Sequence, residues 1–238
     1  MRVAIIQFPG SNCDWDAWHA VHEVIGLPAD RVWHKSELPS GVEAVIVPGG
    51  FSFGDYLRCG AIARFSPIMG DLQRFAENGG PVLGICNGFQ ILCEAGLLPG
   101  ALIRNSGLEF RCLTQCLAPE DSTELFNQSN LGERIYLPIA HGEGNYRLEE
   151  NALADLEANG QVLLRYAGDP SEGYGHGNPN GSVNDIAGVR NQAGNVLGMM
   201  PHPERVVENY HPGLDGLSVL EAFLDPLIKS NPVEAAGA

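Results

Sequence analysis

The segment Gly84-Ile85-Cys86-Asn87-Gly88-Phe89-Gln90 sets a cysteine between glycines where an apolar run gives way to a helical pattern. That is the arrangement of a nucleophile elbow, with cysteine where hydrolases carry serine. A sharp strand-to-helix turn lifts the sulfur clear of a sheet, and the flanking glycines let helix and strand approach closely. The amino terminus of the helix stabilises negative charge on sulfur, and the backbone N–H of Asn87 can face a developing oxyanion. The chemistry on offer is nucleophilic attack on a carbonyl. The competing reading is a buried structural cysteine between packing glycines.

A matching base lies in Pro201-His202-Pro203-Glu204, directly after the apolar run Val196 to Met200. The prolines predict an extended segment. In an extended chain residues two apart point to the same side. Glu204 is therefore expected to reach the His202 ring, orient it and stabilise its protonated form, as a third triad member does. A surface loop with a chance histidine is the plain alternative. His211-Pro212 shows that such pairs arise cheaply, but His211 follows no apolar run and has no carboxylate two residues on. Pro48-Gly49-Gly50-Phe51 ends another apolar run and frees backbone N–H groups for a second oxyanion donor, although a turn alone explains it. What favours the chemical reading is convergence: three strand ends supply a nucleophile, an oriented base and oxyanion donors.

Other clusters are weaker. His19 and His22 lie about one helical turn apart with Cys13 nearby, but no fourth ligand is evident and an exposed helix face explains them better. Cys112 and Cys116 are expected to share one strand face, with packing as the default. Lys35-Ser36 and Lys229-Ser230 are preceded by His34 and Ile228 where a P-loop requires glycine. No Gly-x-Gly-x-x-Gly follows a strand, so no motif for a bound nucleotide is present, and no metal site is expected.

These residues must be positioned by a sheet. Val3 to Phe8, Ala44 to Val47, Pro81 to Ile85 and Val196 to Met200 read as buried strands. Ser11 and Asp14 fit a capping box ahead of Trp18, Val21 and Ile25 at helical spacing. Helices are also expected between about 60 and 78, with Pro67 breaking or restarting the stretch, from Asn87 to Ala95, and from Leu214 to Ile228. Phe110 to Leu117, Arg134 to Ala140, Gln161 to Ala167 and Ile186 to Arg190 read as strands with few helices between them. Gly173 to Asn184 reads as a turn-rich loop. The prediction is an α/β fold with a mainly parallel central sheet flanked by helices, plus a mixed or antiparallel strand region in the middle of the chain. No repeat or linker interrupts it, so residues 1–230 are read as one domain and 231–238 as a loose tail.

The chain has 238 residues, enough for a sizeable core. Its 14 basic and 29 acidic residues give a net charge of −15, which argues against nucleic acid and anionic membrane as partners. No apolar run is long enough to span a bilayer, and the run at the amino terminus is too short for a secretory signal. Six widely spaced cysteines without a Cys-x-x-Cys fit reduced thiols in a cytoplasmic protein.

Pro48-Gly49-Gly50, the Gly84 to Gln90 segment and His202-Pro203-Glu204, in this order, resemble the triad-type (class I) glutamine amidotransferases. Phe8 to Asp14, Gly49 to Arg58, His141-Gly142-Glu143-Gly144, Asn178 to Ser182 and Met199 to Arg205 narrow the resemblance. Together these segments look like the family of separate glutaminase subunits of phosphoribosylformylglycinamidine synthases. Phe53 and Cys59 depart from the residues expected there, tyrosine and a small residue, and neither is a triad position.

The resemblance implies a flavodoxin-like fold and hydrolysis of glutamine to glutamate and ammonia. By it Cys86 is the nucleophile, His202 the general base and acid, and Glu204 its orienter. Backbone N–H groups at Gly50 or Phe51 and at Asn87 form the oxyanion hole, and Gln90 with His141, Gly142 and Glu143 holds the amino-acid end of glutamine. It also implies a large synthetase partner and a small third subunit. No cofactor belongs to this subunit; the synthetase uses ATP and magnesium to convert formylglycinamide ribonucleotide to its amidine. The rival readings are a subunit serving another synthetase, a free-standing cysteine hydrolase, and an inactive binding module.

Overall fold

The computed structural model describes residues 2–120, 126, 131–168 and 177–230. Nine strands form one sheet. In chain order they are β1 (Val3–Gln7), β2 (Ala29–Trp33), β3 (Ala44–Val47), β4 (Val82–Ile85), β6 (Arg111–Pro119), β7 (Ile135–His141), β9 (Val162–Tyr166), β10 (Ile186–Arg190) and β11 (Val196–Met199). β5 (Ala101–Ile103) and β8 (Asn145–Arg147) pair separately as an antiparallel ribbon. The spatial order is β2-β1-β3-β4-β11-β10-β9-β6-β7. The first five strands are parallel, and every pairing from β11 outward is antiparallel.

The parallel strands are read easily because helices cover both faces. β3, β4 and β11 are buried at every position, so they appear as unbroken apolar runs rather than alternations. β7 alternates buried and half-buried residues instead, as a strand near a sheet edge does. The helices are α1 (Asp14–His19, continued by a π-turn over Ala20–Val24), α2 (Ile68–Glu77), α3 (Asn87–Glu94), α4 (Glu150–Ala158) and α5 (Asp215–Ser230).

Several expectations are corrected. The capping box does not form: Cys13 takes the N-cap position without a side-chain cap bond. The Asp14 carboxylate is instead drawn to Arg31 of β2 at 3.1 Å. The stretch from 60 to 78 is not one helix. A 3₁₀ turn at Ala63–Phe65 ends before Pro67, which then sits at the start of α2. β2 and α4 were not predicted. Cys112 is exposed while Cys116 is buried, so packing accounts for only one of the pair. The predicted loop from Gly173 is described only from Gly177 onward, and the tail 231–238 also lies outside the described residues.

Candidate active site

Three parallel strands, β3, β4 and β11, lie side by side and end at one edge of the sheet. Cys86 follows β4 and caps α3 with φ +49° and ψ −103°, a conformation a cysteine rarely adopts. The turn is held from both sides. Cys86 N–H donates to the Met199 carbonyl at 2.7 Å, and its own carbonyl accepts the Gln90 N–H at 3.1 Å. A Cβ on Gly88 would overlap the Val47 carbonyl at the end of β3, so only glycine lets the helix start this close to the sheet. Cys86 is buried, with Sγ 3.7 Å from the Ala140 carbonyl.

His202 and Glu204 are almost wholly enclosed. His202 N–H donates to the Pro138 carbonyl at 2.8 Å, which fixes the segment against β7. His202 Nδ1–H donates to Glu204 Oε1 at 2.6 Å. The predicted pairing is present, but its predicted cause is not. Pro203–Arg205 forms a 3₁₀ turn, because proline at its first position pre-sets the backbone for a helical turn. The turn swings Glu204 back under the ring that an extended chain was expected to reach. Burial alone pushes the imidazole pKa down. The negative charge of Glu204, helped by Cys86 and by nearby Cys13, outweighs it and holds the His202 pKa well above its ordinary value.

The comparisons with known proteins bear on the same residues. A profile of the CobB/CobQ-like glutamine amidotransferase domain matches residues 1–214. The phosphoribosylformylglycinamidine synthase subunit PurQ of Salinibacter ruber is 54% identical over 225 residues, covering 94% of this chain and 96% of that protein. PurQ of Moorella thermoacetica is 53% identical with the same coverage. The chain belongs to the PurQ family of glutamine amidotransferase subunits. A solved structure described as PurLQS from Thermotoga maritima is similar at a TM-score of 0.81 and 43% identity, covering 95% of this chain and 98% of that one. A glutamine amidotransferase from the same organism, 16% identical with a TM-score of 0.54, shares the fold.

The remaining residues expected in a PurQ site are also brought together. Asn87 is buried; its side-chain oxygen accepts the Ser52 N–H at 3.1 Å and its amide donates to Gln90 Oε1 at 2.9 Å. Gln90 Nε2 donates to the Glu143 carbonyl at 2.6 Å, which ties α3 to the His141–Glu143 segment. Gly50, at φ +132°, packs its Cα against Ser11 and Asn12, where no side chain fits. Phe51 N–H donates to the Gly10 carbonyl at 2.9 Å. It is therefore committed within the loop.

His141 is buried, and desolvation, reinforced by the charge of His202, lowers its pKa to about 4. Its Nδ1 meets Asn105 Oδ1 at 3.2 Å. Asn105 also donates to the His141 carbonyl at 2.9 Å and accepts the Gly144 N–H at 2.9 Å, so it shapes the whole turn. A cavity of about 180 Å³ opens onto the site between Cys13, Gly50, Phe51, Ala140, His202 and Arg205. A second, of about 300 Å³, lies beside it along Phe51, Asp55, Arg104, Phe110 and Glu143.

Sequence reasoning missed three of these residues. Arg205 Nη2 donates to Cys13 Sγ at 3.0 Å, next to the His202–Glu204 pair, and Asn105 organises the turn after β7. Cys13 follows β1 at the same sheet edge as the triad, and that placement in the sheet, not a local pattern, is the signal that could have found it. His19 and His22 are not gathered with Cys13 among the described residues: His19 bonds Glu208 at 3.0 Å and His22 stacks on Trp18.

Proposed function

We propose that this chain is the glutaminase subunit of a phosphoribosylformylglycinamidine synthase, with Cys86, His202 and Glu204 as its triad. The observation that carries the reading is the buried His202–Glu204 contact beside a cysteine held at φ +49° on a strand-to-helix elbow. The Cys86 sulfur attacks the side-chain amide carbon of glutamine, and the oxyanion forms near the backbone N–H groups of Gly50 and Asn87. His202 Nε2–H protonates the departing nitrogen, so that ammonia leaves and a glutamyl thioester remains. The amide anion is too poor a leaving group to depart without this proton. Nε2 then takes a proton from water, hydroxide opens the thioester, and glutamate is released with the Cys86 thiol restored. Glu204 keeps Nδ1 protonated throughout, which aims Nε2 at the sulfur.

The amino-acid end of glutamine lies along Gln90 and the backbone of His141 to Glu143, at the mouth of the larger cavity. Ammonia passes to a synthetase partner that, with a small third subunit, uses ATP and magnesium to make the amidine of formylglycinamide ribonucleotide. The subunit itself needs no cofactor. Residues 1–230 act as one domain, with elements from both ends of it, β1 and β11, contributing to one sheet. Six free thiols fit the cytoplasm.

The test is reconstitution with candidate synthetases. Glutamine hydrolysis is expected to rise with the formylglycinamide ribonucleotide-using synthetase and with no other. Equal stimulation by a different synthetase, or full activity alone, overturns the assignment.

A further inference from the structure

We propose that Cys13, His202 and Glu204 form an inhibitory binding site for a thiophilic divalent cation such as zinc. The sulfur of Cys13, a ring nitrogen of His202 and a carboxylate oxygen of Glu204 all lie within 4.8 Å of one another, and no other such group occurs among the described residues. All three residues are buried. Ligand atoms around a tetrahedral zinc stand about 3.2–3.8 Å apart, so small side-chain movements close the group. One of its members also carries a polar atom in the interior without a hydrogen-bond partner, Glu204 Oε2. A carboxylate with a free oxygen, an imidazole and a thiol are the donor set zinc prefers. The 180 Å³ cavity lined by Cys13 and His202 supplies a route for the ion and space for a water as fourth ligand.

The local charges permit a cation. Arg205 donates to Cys13 Sγ at 3.0 Å and opposes it, but Arg205 also faces Asp16 at 3.9 Å and can shift its guanidinium there. Binding releases the Cys13 thiol proton to solvent, so the sulfur enters as thiolate. The ion meets His202 on its Nδ1 edge, where Glu204 already sits, and the Nδ1 proton of the charged ring is released to solvent. A neutral imidazole ligated at Nδ1 carries its proton on Nε2. That nitrogen then has no lone pair to take the proton of the Cys86 thiol, so the attacking thiolate does not form and no thioester is made. The cation thus blocks the reaction without touching Cys86.

The inhibition rests on the triad reading above, whereas binding does not, and the experiment separates the two. Zinc binding is measured by competition with a chromophoric chelator on the full chain, on Cys13→Ser, Cys13→Ala and Cys86→Ala, with circular dichroism to confirm that each is folded. The wild type and Cys86→Ala are expected to bind one equivalent equally. Both Cys13 variants should bind at least about tenfold more weakly. Glutaminase activity of the assembled wild-type complex should fall with zinc and return with EDTA. Loss of binding in Cys86→Ala with retention in the Cys13 variants would place the metal on the nucleophile and overturn the proposal. Binding as predicted without inhibition would overturn the assigned role of the His202 Nδ1 edge.

Discussion

The Cys86 N–H and the Met199 carbonyl are 2.7 Å apart, and this hydrogen bond joins the strand that delivers the nucleophile to the strand that delivers the base. β4 and β11 pair in parallel, with Ile85 opposite Met199. A slip of one residue turns every side chain of a strand to the other face. The register that buries β4 and β11 therefore also sets where Cys86 and His202 stand. Triad geometry is a consequence of core packing rather than an addition to it.

The elbow depends on close approach of α3 to β3. Gly88→Ala places a methyl group onto the Val47 carbonyl, a backbone atom that cannot rotate away. The expected loss is about 2–3 kcal/mol in stability, the upper range for overpacking, with glutaminase activity lost as the elbow shifts. Urea unfolding of the variant checks the first, and a midpoint equal to wild type would show that α3 has room the structure does not.

Glu204→Gln keeps the shape of the side chain but removes its charge. Activity is expected to fall by about 10²–10⁴, whereas Cys86→Ala should leave no measurable turnover. The same substitution lowers the His202 pKa, because the Glu204 charge is the largest of the influences that raise it. The protonated ring contributes stability below its unfolded pKa of about 6.5, and that contribution is lost as pH rises through the higher folded value. In Glu204→Gln this contribution should shrink. NMR of the His202 ring protons across pH gives the direction, and an unchanged titration would remove Glu204 from its orienting role.

His141 has the opposite sign. Its folded pKa of about 4 lies below the unfolded value of about 6.5, so the unfolded chain binds the extra proton first. Stability is then complete above the unfolded value and is lost as pH falls from there toward 4. The loss from this one ring is of order 3 kcal/mol. Denaturant titrations of wild type and His141→Asn at several pH values should show a shallower acid slope in the variant. Parallel slopes would assign the acid sensitivity to other groups.

Much of the site was legible in the sequence because chemistry and core share the same short segments. Unbroken apolar runs such as Ala44 to Val47 arise only where both faces of a strand are covered, and β3, β4 and β11 are such strands. β2 was not legible because Asp30 and Arg31 interrupt it; both are only half-buried at the sheet edge, and Arg31 turns to Asp14. α4 buries only Leu156, so no apolar stripe marks it. Cys13 and Asn105 act through tertiary neighbours far away in sequence, and no local pattern signals that.

Selective alkylation should report the Cys86–His202 pairing. Burial, with the charges of Asp55 and Glu143, raises the pKa of Cys59, and burial with Glu94 raises that of Cys93. Both are expected to resist iodoacetamide. Cys86 sits beside a ring that carries positive charge and should be labelled first at mildly acidic pH. Exposed Cys112 serves as the internal reference. In His202→Asn the Cys86 labelling should fall by about tenfold or more while that of Cys112 stays the same. Peptide mapping reads all sites at once, and equal effects at both cysteines would mean that His202 does not activate the sulfur.

The division of labour between subunits gives the strongest test of the whole assignment. This chain has residues for making ammonia and no nucleotide-binding motif for using it. An uncoupled subunit would lose its ammonia to solvent and waste glutamine, so activity alone should be low and should rise on assembly. The loop at Gly50 and Phe51 is the segment to watch, because the Phe51 N–H is committed to Gly10 and both residues line the cavity over the triad. A partner that closes this loop is expected to complete the proposed oxyanion hole. In the assembled complex Cys86→Ala should abolish amidine synthesis from glutamine, since no thioester forms. Synthesis from ammonium salt should continue at the wild-type rate, since the partner's chemistry never passes through the triad. Loss of ammonium-driven synthesis in a complex that stays assembled would show that Cys86 serves the partner's reaction as well.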